Sequence, residues 1–145
     1  MSTQTYTATK PANLSIKWSL LGLIIYLIIT VIGSVFLSST WMANNDISNL
    51  SSQQISLLMD KDVSLALYTS LLGGLSALFC GWLATKKAGS NHYNTALILA
   101  SCLAVYGAIS IMLHPEHQLL HQAAKIIGPF LMCGLGAKLA LLKKP

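Results

Sequence analysis

A chain of 145 residues that is 54% hydrophobic and only 9% charged cannot be a soluble domain of ordinary make-up. A soluble fold of this size leaves about a third of its unfolded surface wet, so lipid is the natural solvent, with room for one compact bundle. The net charge of +5 comes from lysines alone, which flank apolar runs without forming a patch or stripe, and this excludes nucleic acid as a partner.

Residues 1–14 (MSTQTYTATKPANL) are polar and aperiodic, and read as a short disordered cytoplasmic tail. Residues 15–145 read as a single all-α membrane domain: a four-transmembrane-helix bundle with spans near 18–37, 63–85, 95–113 and 123–142. At about 1.5 Å rise per residue, some 20 residues cover a hydrocarbon core of about 30 Å. The first span, Trp18 to Leu37, follows Lys10 and Lys17 as a signal peptide would. Its apolar core is too long for one, and no A-x-A site follows, so it is read as a retained anchor. The loop 38–62 holds Ile47, Leu50, Leu57 and Leu58, with Asp46 as a candidate N-cap. A short interfacial helix and a disordered polar loop both fit this segment. The second and third spans, Val63–Thr85 and Thr95–Leu113, are uncharged. The fourth, Ala123–Leu142, carries Lys125, Lys138 and a Gly128-Pro129 step where a bend is expected. It is expected to start above the membrane near Pro115.

Orientation follows from the lysines. Lys10, Lys17, Lys86, Lys87, Lys143 and Lys144 fall on one side of the four spans, and all four acids (Asp46, Asp60, Asp62 and Glu116) fall on the other, with Lys61 and Lys125. The positive-inside rule then puts both termini in the cytoplasm and the loop 38–62 outside.

Membrane helices associate by close packing and need small residues at their seams. The second span offers Gly73, Ala77, Gly81 and Thr85 at intervals of four, with Ala66, Ser70 and Gly74 on the next ridge. The third offers Ala96, Ala100, Ala104 and Ala108, and the fourth pairs Cys133 with Ala137 and Gly136 with Ala140. The first span is mostly Leu and Ile and is expected to show the most surface to lipid. Leu78-Phe79-Cys80-Gly81-x-x-Ala84 and Leu131-Met132-Cys133-Gly134-x-x-Ala137 share a pattern, but the remaining helices do not repeat it, so it is read as coincidence.

The stretch LLGGLSALFCGWLATKK with the alanine-rich span after it, and the close PFLMCGLGAKLALLKKP, resemble small four-helix bacterial inner-membrane proteins of uncharacterised families. The resemblance covers about residues 60–145. It implies a fold and a membrane, and no active site.

Chemistry has few places to sit. Ionisable groups within a bilayer are functional candidates by default, and Lys138 is the one to weigh, although its stem can snorkel to the headgroups. His114, Glu116, His117 and His121 form a candidate metal cluster, in which His117 and His121 share a helix face. Lys125 continues that ridge and opposes a cation, so no metal and no cofactor are expected. Cys80, Cys102 and Cys133 all lie inside apolar runs and read as small hydrophobes. There is no nucleophile elbow, phosphate loop or pair of buried carboxylates, so no enzyme is expected. Two functions remain: a structural protein that binds or protects another membrane component, and an oligomeric small-solute or ion transporter or channel. Its partners would be the bilayer, another membrane protein, or a second copy of the chain.

Overall fold

The computed structural model describes residues 13–88, 92–113 and 119–142, with side chains for 16–88, 93–113 and 122–142. All regular structure among the described residues is helical: α1 (Asn13–Asn44), α2 (Ser52–Lys61), α3 (Val63–Ala88), α4 (His92–Leu113) and α5 (Leu119–Leu142). Four of them, all but α2, are long and apolar enough to cross a membrane.

α1 is the element that departs most from expectation. It runs to Asn44, about two turns beyond Leu37 and through the first quarter of the expected loop. Hydropathy falls at Ser38, but the backbone has no reason to stop there. The Thr40 hydroxyl donates to the Phe36 carbonyl at 2.8 Å, and the Asn45 amide donates to the Trp41 carbonyl at 2.8 Å. Polar side chains that bond back to the preceding turn keep a helix going past its apolar stretch. At 32 residues, α1 is about 48 Å long, well over the hydrocarbon thickness.

The rest of the loop is ordered by caps. Ser51, not Asp46, starts α2: its hydroxyl accepts from the Gln54 backbone N–H at 3.4 Å, while the Gln54 side chain accepts from the Ser51 N–H at 2.9 Å. This is a reciprocal capping box. Asp46 instead accepts from the backbone and hydroxyl of Ser48. Asp62 ends α2 and begins α3, its Oδ1 accepting from the N–H groups of Ser64 (2.8 Å) and Leu65 (3.1 Å). One carboxylate therefore caps two donors that the first turn of α3 leaves unpaired.

Among the described residues α3 lies against α1, α4 and α5, with α5 its most extensive neighbour, while α1 and α5 occupy opposite corners. The contacts run in register. Gly33 faces Leu72 and Gly22 faces Ala84, so α1 and α3 are antiparallel; Gly74 meets Met132 and Trp82 meets Gly136, so α3 and α5 are parallel. The core is Ala77, Cys80, Ala84, Leu99, Ala100, Leu103 and Cys133. α1 contributes least to it: 6% of its apolar stretch is buried, against 22%, 28% and 22% for α3, α4 and α5. Its outward ridge of Ile24, Ile28, Ile32 and Val35 is exposed, Ile32 to 65%. A run of β-branched residues of this kind facing outward fits hydrocarbon and not water.

Pro129 lies inside α5. The expected start of that helix at Pro115 falls outside the described residues.

Candidate functional site

Among the described residues, two places bring chemistry-bearing or tightly constrained residues together: the seam between α3 and α5, and the corner where α1, α2 and α3 meet.

The seam is made by glycine. A Cβ on Gly81 would stand 2.7 Å from the Cα and 2.9 Å from the carbonyl oxygen of Cys133. One on Gly136 would collide with the Leu78 carbonyl oxygen and stand 2.7 Å from the Trp82 nitrogen. Only residues without a Cβ let two helix backbones approach so closely. The ridge Ala77, Gly81 and Thr85 is buried, as is its neighbour Ser76, Cys80, Ala84 and Ala88. Gly73 is half-buried, 3.5 Å from the Tyr26 hydroxyl when given a Cβ, and Gly74 is half-buried against Met132. On α4, Ala96 and Ala100 are buried, whereas Ala104 and Ala108 are half-buried. Burial there follows Thr95, Leu99, Leu103 and Gly107, one ridge over. A Cβ on Gly107 would collide with the Lys125 carbonyl, so this glycine, absent from the alanine ridge, sets the α4–α5 distance. Cys133, Gly136, Ala137 and Ala140 are all buried on α5.

The shared Cys-Gly pattern divides in space. Cys80 and Cys133 are both fully buried, and the Cys133 thiol donates to the Ala77 carbonyl at 3.5 Å. Gly81 is buried in the seam, but its counterpart Gly134 is exposed and has nothing within 4 Å of a Cβ. All three cysteines are free thiols.

The lysines are distributed differently from one another. Lys138 is exposed on the outward side of α5. Lys125 is half-buried and donates to the Ser110 hydroxyl at 3.2 Å, tying α5 to α4. Lys86 stands over the Trp82 ring, 4.7 Å from its centroid, a cation–π contact at the end of α3. His114, Glu116 and His117 lie outside the described residues, as does the side chain of His121. Among the described residues, no three His, Cys, Asp or Glu side chains converge to hold a metal ion.

At the α1–α2–α3 corner the indole N–H of Trp41 donates to Asp62 Oδ2 at 2.6 Å. This hydrogen bond, with those from the first turn of α3, holds the Asp62 carboxyl below its ordinary value. The Ser48 hydroxyl does the same for Asp46. Beside them lies an open cleft of about 370 Å³, lined by Trp41, Asp46, Leu50, Leu58, Lys61 and Asp62 among others. Sequence reading did not find the Trp41–Asp62 bond, which joins residues 21 positions apart. The position of Asp62 just before Val63-Ser64-Leu65 was the available signal for its cap.

Compared with known proteins, the chain matches no family model, and neither a curated protein nor a solved structure matches it. The resemblance to small four-helix inner-membrane proteins therefore stands on the quoted motifs alone.

Proposed function

We propose that the chain is a bacterial inner-membrane protein that crosses the bilayer four times, has both termini in the cytoplasm, and works as a structural partner that binds or protects another membrane component. The reading rests on one observation. The α3–α5 seam closes backbone to backbone at Gly81 and Gly136, around a core of alanine, leucine and cysteine. A solute path would want polar lining; among the described residues the buried polar side chains are Ser19, Ser76, Thr85 and Thr95, none of them charged, and the Ser19 hydroxyl is tied to the Thr95 carbonyl. The working surface is then the outside, and α1, mostly unburied, supplies the largest share. We assign the chain no catalytic role and no cofactor. The charge distribution supports the direction of insertion, since Lys86 and Lys87 end α3 while Asp46, Asp60 and Asp62 surround its start.

The test pairs two measurements. In proteoliposomes, ion and small-solute flux should stay at the protein-free background. In cells, a photoreactive residue replacing Ile32 should cross-link to one discrete membrane protein. Flux that rises with protein content, with cross-links only between copies of the chain, would replace this reading with an oligomeric transporter or channel.

A further inference from the structure

We propose that the cleft at the α1–α2–α3 corner binds the zwitterionic headgroup of an aminophospholipid, with Asp46 receiving the ammonium and Lys61 the phosphate. The proposal rests on the four-span reading, which sets this corner at the level of the headgroups. Its size fits, since about 370 Å³ falls in the range of small-molecule pockets, roughly 300–1,000 Å³.

The lining charges choose the ligand. Asp62 is committed to the fold, accepting from the Trp41 indole and two backbone N–H groups. Among the described residues Asp46 accepts only through Oδ1, from Ser48, which leaves Oδ2 to accept a further hydrogen bond. Lys61 also lines the cleft and forms no hydrogen bond or ion pair with any described side chain; its role in α2 is that of a basic residue in the last turn. A plain anion entering here would meet Asp46 and Asp62, and a plain cation would meet Lys61. A molecule that carries both charges offers a partner to each of these lining side chains. An ammonium with N–H donors suits Asp46 better than a trimethylated one, which relies on several aromatic faces; Trp41 is the one aromatic ring in the lining. Leu50 and Leu58 complete the wall with apolar surface for the glycerol and upper acyl carbons. Trp41 has the amphipathic ring found at membrane interfaces.

The test is native mass spectrometry of the full chain, delipidated in mild detergent and titrated with matched-chain phosphatidylethanolamine, phosphatidylcholine and phosphatidylglycerol. Phosphatidylethanolamine should bind about tenfold more tightly than the other two, the size of one charge-assisted hydrogen bond. Asp46→Asn keeps the acceptor for Ser48 and should lower phosphatidylethanolamine to the level of phosphatidylcholine. Lys61→Gln should weaken all three lipids, since each carries the phosphate. Equal binding of the three lipids, or an Asp46→Asn variant that keeps the preference, overturns the proposal. Soluble glycerophosphoethanolamine binding as tightly as the lipid overturns the membrane source of the ligand. A chain that alkaline carbonate washes off membranes overturns the four-span reading and the lipid with it. A chain that stays in the membrane without a phosphatidylethanolamine preference overturns this proposal alone.

Discussion

Gly81 and Cys133 touch through their backbones: a Cβ on Gly81 would lie 2.7 Å from the Cα of Cys133. Neither side of that contact is a flexible chain end, so an added methyl group must push α3 and α5 apart. Gly81→Ala is expected to lower stability by about 1–3 kcal/mol, the usual cost of overpacking. Gly134→Ala is the opposing control. Gly134 is exposed, with nothing within 4 Å of a Cβ, so alanine there should raise stability by about 0.5–1 kcal/mol through helix propensity. Unfolding of both variants in one detergent checks the pair; a Gly81→Ala variant at least as stable as the wild type would show that the seam does not hold the bundle.

The Trp41–Asp62 bond predicts an acid-sensitive corner. The Asp62 carboxyl is held below its ordinary value of 3.8, first by the Trp41 indole. A group whose folded pKa is depressed stabilises the fold fully above its unfolded value and loses that contribution as pH falls through the folded one. The window therefore lies below pH 3.8. Trp41→Phe removes the donor, so wild type should melt higher than the variant at neutral pH, and the gap should narrow below that value. A gap that stays constant down to the acid limit, or widens, would contradict the assignment.

The four apolar helices were legible because hydropathy over some 20 residues is a strong signal, and α3 and α4 begin and end within three residues of their expected limits. What escaped is local or distant. The end of α1 depends on Thr40 and Asn45 bonding back to the helix, which a hydropathy scan counts as loop. The start of α2 was written as Ser51-x-x-Gln54, a capping-box spacing overshadowed by the acid at Asp46. Seam residues were harder. A ridge of small residues identifies a face but not which member bears the contact: Gly107, off the alanine ridge, is buried against the Lys125 carbonyl, whereas Ala104 and Ala108 are half-buried. The α1–α2–α3 corner joins Trp41 to Asp62 across a turn and a helix, and no spacing rule links them.

The histidines near the start of α5 are expected to be ordinary polar residues. His117 and His121 alone make an incomplete zinc site, which needs three or four protein ligands. The Lys125 ammonium, half-buried and bonded to Ser110, places a positive charge one turn beyond His121. Elemental analysis of purified protein should find no stoichiometric metal, and His117→Ala with His121→Ala should leave the melting temperature unchanged. One equivalent of metal per chain, lost in that double variant, would make a metal-linked function the leading account.

The central claim is a four-span chain with the loop before α3 outside and the loop after it in the cytoplasm. Cysteine accessibility in intact cells measures this directly. Cys80 and Cys133 are buried and Cys102 is half-buried, all within apolar helices, so in the four-span account the native thiols are kept from the water in which maleimides meet a thiolate. A cysteine at Ser52, exposed at the start of α2, should react with a membrane-impermeant maleimide added from outside. A cysteine at Ser90, after Lys86 and Lys87, should react only once the membrane is permeabilised. Ser90 labelled from outside with Ser52 protected would reverse the orientation, and both positions labelled from the same side would contradict the spans themselves.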